Sequence, residues 1–376
     1  MIDVKYIYEI LKNNNINFFT GVPDSLLKDF CAYVTENSSN KNHIIAANEG
    51  GAIGIATGYH LSTGNIPLVY LQNSGLGNCI NPLLSIADKE VYGVPMILMI
   101  GWRGEPLVKD EPQHIKQGRV QNLLLDNMEI PYRVIDQETS NIDEVIKDLV
   151  HLSLSIKNPV AIVVKKDTFT KYKMNDVEVK NYEMSREEAI EIILDHLSDN
   201  SIIVSTTGMI SREVFEQREF KNQSHNRDFL TVGAMGHCSQ IALGVSLNTN
   251  MLTVCIDGDG SLIMHLGSMP IVAQNAKSNF LHIVLNNSAH DSVGGQPTIA
   301  NSINLDKIAN NVGYNSSCRI GKKNDLINKL KTMSFNDGPS FIEVRVKKGA
   351  RKDLGRPTTK PIENKLHFMQ ILNTNE

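Results

Sequence analysis

Short apolar runs alternate with longer amphipathic segments along most of this chain. Such runs, bounded by polar turns, are typical of strands buried on both faces of a parallel sheet, and the amphipathic segments are typical of helices. The alternation predicts an α/β fold with two doubly wound parallel-sheet domains. The predicted strands are Asn17–Thr20, His43–Ala47, Pro67–Leu71, Pro95–Ile100, Tyr132–Ile135, Pro159–Val164, Ser201–Ser205, Leu252–Ile256, Phe280–Leu285 and Phe341–Val346, and the clearest helices are Asp24–Glu36, Ile142–Ser155 and Ile263–Ala276.

A change of pattern in the middle of the chain marks the domain boundary. The stretch Lys165–Glu183 is rich in Lys, Asp and Asn and lacks a clear period, which predicts an exposed linker. A helix then begins at a capping box that runs from Ser185 to Glu188. We therefore expect one domain over 1–180, with the linker at its end, and a second over 181–376.

Two short polar signals stand at the ends of predicted strands. Gly258-Asp259-Gly260 follows one strand and Asn286-Asn287 follows the next. Gly-Asp-Gly alone is most often an ordinary turn. In a parallel sheet, however, both signals lie at the carboxyl edge, where open α/β sheets bind ligands. Carboxylate and amide oxygens there suit Mg²⁺ holding a phosphorylated cofactor.

Composition narrows the possible partners and location. The chain has 376 residues, 41% hydrophobic and 21% charged, with a formal net charge of −4. These values are typical of a globular protein and argue against nucleic acid as a partner. No apolar run approaches the ~20 residues that cross a bilayer, and the first residues do not resemble a signal peptide. Five scattered cysteines predict buried reduced thiols, so a cytoplasmic location is expected.

A segment crowded with small residues follows the second predicted strand and opens a helix at Glu49. Glycines at 50, 51, 54 and 58 lower helix propensity by up to ~1 kcal/mol each relative to alanine. Such a sequence indicates that something packs very close to this helix. The plain alternative is a tight helix–helix contact, with Glu49 only favouring the helix N-terminus.

The Gly-Asp-Gly and Asn-Asn pair resembles the cofactor signature of thiamine diphosphate enzymes. The resemblance implies that the side chains of Asp259 and Asn287 and the carbonyl of Ala289 bind Mg²⁺, which holds the diphosphate. It also implies that Glu49 hydrogen-bonds the pyrimidine ring and drives the cofactor towards its ylid. An acid in this role is protonated part of the time, which partial burial favours. In that family the two halves of a site come from different subunits, so self-association is expected.

The segment Thr231–Gly244 resembles the family's loop beneath the aminopyrimidine. Met235 stands at the position where, in the family, an apolar side chain bends the cofactor. The backbone carbonyl of Gly233 stands where the family accepts a hydrogen bond from the amino group of the cofactor. The alternative is a glycine-rich turn into a core helix, with Met235 as packing. Thr207, Gly208, Gly258, Gly260 and Ser261 are also expected to contact the cofactor; the backbone amides of the turn at Thr207 and Gly208 and of Ser261 could help hold phosphate oxygens.

Nearly the whole chain resembles phosphonopyruvate decarboxylases and the related sulfopyruvate decarboxylases. A pyrimidine-binding domain (1–180) precedes a diphosphate-binding domain (181–376) with a basic tail, and no middle domain separates them. The segments that carry the resemblance are Trp102–His114, Ser288–Thr298 and Arg351–Pro357. The implied reaction is decarboxylation of 3-phosphonopyruvate, a 2-oxo acid, to phosphonoacetaldehyde and CO₂, as in 2-aminoethylphosphonate biosynthesis.

A substrate with a carboxylate and a phosphonate needs concentrated positive charge. The basic tail supplies Arg351, and the loop after Trp102 supplies Arg103 and Lys109. The amides of Gly295 and Gln296 could form an anion nest. A basic run is also often a solvated face, and that alternative stays open.

Three side chains are candidates for proton transfer near the substrate. Asp24 stands where related decarboxylases carry an acid after the first strand. His114 and His290 are suited because histidine titrates near neutral pH, although a lone histidine is more often a surface or hydrogen-bonded core residue.

Three other functions remain as alternatives. One is decarboxylation of sulfopyruvate or another 2-oxo acid by the same thiamine diphosphate-dependent reaction. Another is cofactor binding without catalysis, against which an acid at Glu49 argues. A plain dinucleotide-binding protein is disfavoured, because no Gly-x-Gly-x-x-Gly follows the first strand of either half.

Overall fold

The computed structural model describes residues 1–175 and 182–374. The chain divides into two compact units, Met1–Asp176 and Val177–Glu376. The predicted boundary between residues 180 and 181 lies outside the described residues and stays a prediction.

The first unit is built on a six-stranded parallel sheet with the strand order β2-β1-β3-β4-β6-β5. Its strands are β1 (Phe19–Gly21), β2 (His43–Ile45), β3 (Leu68–Gln72), β4 (Ile97–Gly101), β5 (Tyr132–Ile135) and β6 (Val160–Val164). Its helices are α1 (Val4–Asn13), α2 (Lys28–Asn37), α3 (Glu49–Thr63), α4 (Leu76–Pro82), α5 (Pro112–Asn127) and α6 (Ile142–Ile156).

Strand β6 shows why the sheet is covered on both faces. Val160, Ile162 and Val164 belong to one hydrophobic cluster. Ala161 and Val163, which point to the opposite face, belong to another. A continuous apolar run is therefore buried on both sides, as the sequence predicts for a doubly wound fold.

The second unit repeats this plan. Its parallel sheet has the order β13-β14-β10-β9-β7-β8, and β11 and β12 form a separate antiparallel hairpin. The strands are β7 (Ile202–Ser205), β8 (Asp228–Leu230), β9 (Thr253–Gly258), β10 (Phe280–Asn286), β11 (Ala289–His290), β12 (Gln296–Pro297), β13 (Ser316–Ile320) and β14 (Ser340–Arg345). The helices are α7 (Arg186–His196), α8 (Met209–Phe220), α9 (Cys238–Ser246), α10 (Asp259–Met264), α11 (Ser268–Asn275), α12 (Leu305–Val312), α13 (Lys323–Thr332) and α14 (Pro361–Thr374). The predicted capping box before α7 is confirmed.

Several predicted elements differ from the structure. The sequence missed β8, β11, β12 and β13, because β8 has three residues, β11 and β12 have two each, and β13 is a largely polar edge strand. The helix predicted over Ile263–Ala276 is two helices, α10 and α11. Pro270 lies in the first turn of α11, where its missing N–H costs no helical hydrogen bond. Helix α2 begins at Lys28 rather than Asp24.

The predicted linker is not simply exposed. Among its described residues, Phe169 is 3% exposed and joins the core of the first unit, where it forms a bridge with Ile2. The burial of Phe169 was not predicted, because the neighbouring residues in the sequence are mostly polar. The five cysteines are free thiols and four are buried, but Cys318 on β13 is only half-buried. Among residues 1–175 and 182–374, no helix is both long and apolar enough to cross a membrane.

Candidate active site

Glu49 lies at the carboxyl edge of the first sheet, where α3 begins after β2. Asn48 caps this helix by accepting a hydrogen bond from the Gly51 N–H at 2.8 Å. The Glu49 side chain is buried, and its Oε2 accepts a hydrogen bond from Asn78 Nδ2 at 2.7 Å. A Cβ on Gly75 would lie only 2.2 Å from Glu49 Oε1. The carboxyl group is therefore held between α4 and the turn before it.

The small residues of α3 are partly explained by this contact. A Cβ on Gly50 would lie 2.8 Å from the carbonyl oxygen of Asn78, so the close packing predicted there is confirmed. A Cβ on Gly54 or Gly58 would meet no described atom within 4 Å. The close packing expected along the helix is thus found at its first turn and not, within the described chain, further along it.

Asp24 is fully buried three residues after β1. Its carboxylate accepts hydrogen bonds from Gln72 Nε2 at 2.7 Å and from the Leu26 N–H at 3.0 Å. Burial raises the pKa of Asp24, opposed by these hydrogen bonds and by the charge of Arg103. A buried carboxyl with a raised pKa can carry a proton closer to neutral pH than a solvated one.

The loop after β4 is organised by Asp110, a residue that sequence reasoning did not single out. Asp110 forms a bidentate ion pair with Arg103, which also donates to Ser25 Oγ at 2.7 Å. The Asp110 carboxylate also bonds His114 Nδ1 at 3.0 Å. Burial favours a higher pKa for Asp110, but the hydrogen bonds from Arg103 and His114 hold it well below its usual range. Burial lowers the pKa of His114, against the pull of Asp110.

Asp259 begins α10 at the carboxyl edge of the second sheet and is 3% exposed. Its Oδ2 accepts a short hydrogen bond from the Thr298 hydroxyl. Burial raises the pKa of Asp259 to about 7, despite the hydrogen bonds from Thr298 and from the backbone of Asn287. The structure therefore brings the Asp259 carboxylate against the Asn-Asn turn.

The turn after β10 orders the amide of Asn287. Asn287 Nδ2 donates to Asp291 Oδ2 at 2.6 Å, and Asn287 Oδ1 accepts from the Ala289 N–H at 3.0 Å. Ser288 between them has a φ of +58°, a left-handed conformation that is uncommon for a residue with a side chain.

Met235 and His290 both lie against the Gly-Asp-Gly turn. A Cβ on Gly260 would lie 3.1 Å from the His290 ring and 3.4 Å from the Met235 methyl group. Burial lowers the pKa of His290 to about 4, so the ring is neutral at neutral pH. Ala234, beside Met235 and Gly233, has a φ of +52°. Backbone strain of this kind is concentrated at functional sites.

The Ser261 hydroxyl ties three loops at this edge together. It accepts a hydrogen bond from Thr206 Oγ1 at 2.9 Å and another from the Gly236 N–H at 3.1 Å. Thr207 and Gly208 follow Thr206 at the start of α8. Gly208 has a φ of +96°, and the nearest atom to a Cβ there would be Ser292 Oγ at 4.0 Å. The backbone at Gly208 is thus open to a ligand.

The predicted substrate-binding residues differ in their exposure and in their hydrogen-bond and ion-pair partners. Arg351 pairs with three carboxylates, those of Glu187, Glu216 and Asp353. Lys109 is exposed. The Gly295 N–H donates to the carbonyl of His290 at 2.9 Å, and Gln296 pairs with His290 in the hairpin. The Gly295 carbonyl accepts from Lys348 Nζ at 2.7 Å.

Comparison with known protein families identifies the family to which this chain belongs. Residues 4–130 match the N-terminal TPP binding domain of thiamine pyrophosphate enzymes, and residues 206–344 match their C-terminal TPP binding domain. The chain belongs to the thiamine pyrophosphate (thiamine diphosphate) enzyme family.

Within this family, the similarity to two phosphonopyruvate decarboxylases extends over nearly the full length. The chain is 31% identical to that of Streptomyces viridochromogenes, covering 94% of this chain and 91% of the relative. It is 30% identical to that of Streptomyces hygroscopicus, covering 93% and 89%. The sulfopyruvate decarboxylase of Methanosarcina acetivorans is 26% identical, covering 91% of both chains. The fold and cofactor class predicted from the sequence are confirmed.

The site residues fit a divalent cation and a diphosphate. Asp259 is a buried carboxyl group whose ionised form is disfavoured by burial, and a cation beside it would offset that penalty. An amide oxygen and a backbone carbonyl stand in the adjoining turn, which are the hard ligands that Mg²⁺ prefers. Asp259, Asn287 and Ala289 would hold the metal, and the open backbone at Gly208 would face phosphate oxygens.

Sequence reasoning missed the residues that hold these groups in place. Thr298 and Asp110 lie inside segments that carry the family resemblance, which was the available signal. No such signal marked Asn78, Gln72 or Arg186, because their contacts join positions far apart in sequence.

Proposed function

We propose that this enzyme decarboxylates 3-phosphonopyruvate to phosphonoacetaldehyde and CO₂, with thiamine diphosphate and Mg²⁺ as cofactors. The observation that carries the proposal is the similarity to two phosphonopyruvate decarboxylases over at least 93% of the chain. Thiamine diphosphate supplies the electron sink for loss of CO₂ from a 2-oxo acid.

The buried acids of the first unit are assigned the proton transfers. Glu49 is held by Asn78 and enclosed by Gly75, so its carboxyl group is fixed in one position to hydrogen-bond the cofactor's pyrimidine. Asp24 combines full burial with a raised pKa, which suits a group that donates a proton to the product carbon. His114 and His290 are neutral rings that can relay protons.

Self-association is part of the proposal. Glu49 belongs to the first unit and Asp259 to the second, and in the family the two halves of one site come from different subunits. The open backbone at Gly54 and Gly58 supports this arrangement, because a second copy can approach closely where no side chain intervenes. The acid and the metal site of one active site would then come from two copies of the chain.

Lys348 is assigned to the substrate phosphonate. Its Nζ lies on the Gly295 carbonyl, in the loop that follows the metal-binding turn, and this single hydrogen bond uses one of its three donors. Arg351 is instead surrounded by carboxylates with which a phosphonate would have to compete. Lys348→Met should raise KM for phosphonopyruvate about tenfold or more, since a hydrogen bond to a charged group contributes about 1.5–3 kcal/mol. Lys347→Met is the matched control and should leave KM unchanged, because Lys347 is exposed.

Steady-state decarboxylation of 3-phosphonopyruvate and sulfopyruvate, measured side by side, tests the substrate. We expect a higher kcat/KM for phosphonopyruvate, because its tail carries more negative charge to pair with cations. A preference for sulfopyruvate would overturn the substrate assignment and retain the reaction. Cofactor binding without turnover of either acid would overturn the reaction as well.

A further inference from the structure

Asp291 lies at the centre of a buried network beside the predicted metal ligands. Its Oδ2 accepts hydrogen bonds from Asn287 Nδ2 at 2.6 Å, from Arg186 Nη1 at 2.9 Å and from the Gly349 N–H at 2.9 Å. The side chain is 9% exposed, and that of Arg186 is 5% exposed. One carboxylate oxygen therefore joins α7, the turn after β10 and the start of the basic tail.

The contact with Asn287 fixes the orientation of an amide that has two chemically different ends. A metal ligand must present Oδ1, whereas Nδ2 would repel a cation. A carboxylate accepts and cannot donate, so Asp291 selects Nδ2 as its partner. Oδ1 is then turned away from Asp291; it accepts one hydrogen bond from the Ala289 N–H, which leaves its second lone pair for a ligand.

Arg186 keeps Asp291 in this position. Its guanidinium forms a bidentate pair with Glu213, with Nε and Nη2 donating at 2.7 and 2.8 Å, and uses Nη1 for Asp291. The fork geometry of arginine makes this simultaneous contact, which a lysine cannot reproduce. Glu213 is 2% exposed, so the whole arrangement is held inside the unit.

The charges of this network match a divalent cation. Arg186 and Glu213 neutralise each other, which leaves the carboxyl groups of Asp291 and Asp259. A bound cation carrying two positive charges would offset both carboxylates.

We propose that Asp291, held by Arg186, is a positioning residue that orients Asn287 for the metal and fastens the basic tail at Gly349 to the metal-binding turn. The inference rests on the proposed Mg²⁺-dependent binding of thiamine diphosphate, and it does not depend on the identity of the substrate. It adds a residue to the site that acts through Asn287 rather than by touching the cofactor.

Asp291→Leu tests this role by binding rather than turnover. Leucine has a similar size and removes the acceptor oxygen, while Arg186 keeps its pair with Glu213. Calorimetric titration of thiamine diphosphate at a series of Mg²⁺ concentrations should show the half-saturating Mg²⁺ concentration raised about 10- to 100-fold, as for other residues that support a metal ligand. Thermal unfolding without cofactor checks the fold, and Asp291→Glu, which restores the charge, should recover part of the Mg²⁺ affinity.

Asp353→Leu is the matched control, because it makes the same change at an 81% exposed residue of the same tail. It should leave the half-saturating Mg²⁺ concentration unchanged. A folded Asp291→Leu variant with an Mg²⁺ requirement within about twofold of wild type would overturn the proposal. So would equal losses in the two variants, or a wild-type protein that binds thiamine diphosphate without Mg²⁺. Decarboxylation by the wild type is assayed separately, so failure of the substrate assignment is distinguished from failure of this inference.

Discussion

The two sheets of this protein have the same strand order and different chemistry at their carboxyl edges. In each unit the main sheet runs through the second, first, third, fourth, sixth and fifth of its own strands, when the small hairpin of the second unit is left aside. The same positions along the edge can therefore be compared directly. They are the segments that follow the third and fourth strands of each unit.

In the first unit, Asn73 follows the third strand and Arg103 follows the fourth. Two hydrogen bonds join the Asn73 side chain to the Arg103 backbone. Asn73 Nδ2 donates to the Arg103 carbonyl at 2.7 Å, and the Arg103 N–H donates to Asn73 Oδ1 at 3.2 Å. In the second unit, Asp259 and Asn287 occupy these positions, and the carboxylate is left with a raised pKa. In the first unit, hydrogen bonds between neutral groups join the two segments, whereas in the second unit the buried carboxyl group suits a cation. The topology brings the positions together, and the residue types decide what they do.

The proposed activating acid, Glu49, belongs to the first unit and follows β2, and the largest effect is expected there. Glu49→Gln should leave thiamine diphosphate affinity largely intact and lower kcat by roughly 10²–10⁴-fold, because the amide cannot exchange a proton with the pyrimidine. Steady-state CO₂ release and calorimetric cofactor binding measure the two quantities. Unchanged turnover would refute the role of Glu49.

Gly75 tests whether the position of that acid matters as well as its identity. In Gly75→Ala the added methyl group displaces the Glu49 carboxyl, and kcat should fall roughly 100-fold, the effect of moving a reacting group by about 1 Å. Gly77→Ala is the matched control, since its Cβ meets no described atom within 4 Å. Equal kcat values for the two variants would show that the enclosure of Glu49 is not required.

Thr298 provides the corresponding test in the second unit, with a smaller expected effect. Thr298→Val removes the hydroxyl that donates to Asp259 and should raise the half-saturating Mg²⁺ concentration for cofactor binding about tenfold. Thr298→Ser keeps the hydroxyl and should behave like the wild type. A valine variant with wild-type Mg²⁺ dependence would contradict a supporting role for this hydrogen bond.

Asp24 gives a prediction for stability against pH. Because burial raises its folded-state pKa, its contribution to the free energy of unfolding is present below about pH 3.8 and is lost as the pH rises through the folded-state value. Asp24→Asn removes this loss. The Tm of the variant relative to wild type should therefore increase as the pH rises from 4 to 8. A difference in Tm that is independent of pH would argue that Asp24 is not a buried titrating group.

The sequence predicted the parts of this arrangement that depend on local pattern. Apolar runs identified ten of the strands, and the capping box at Ser185 located α7, because both signals lie within a few residues. Strands β8, β11, β12 and β13 were not predicted, because very short strands and polar edge strands lack that signal. The meeting of Asp259 with the Asn-Asn turn at one sheet edge was predicted because both motifs directly follow strands.

The groups that support the site were not predictable in the same way. Asn78, Thr298 and Arg186 act on partners that are distant in sequence, and only the fold brings them together. The sequence predicted Arg351 as a substrate-binding residue but could not reveal its ion pairs, since the carboxylate partners come from α7, α8 and the tail.

The central claim is that Glu49 and the Asp259 metal site are two halves of one decarboxylase site supplied by two copies of the chain. Glu49→Gln and Asp259→Asn, carrying different affinity tags, can be co-expressed and isolated as mixed oligomers. These should decarboxylate phosphonopyruvate at roughly a quarter to a half of the wild-type rate, because a mixed pair contains one site with both residues intact. Mixed oligomers no more active than the two parent variants would contradict the claim.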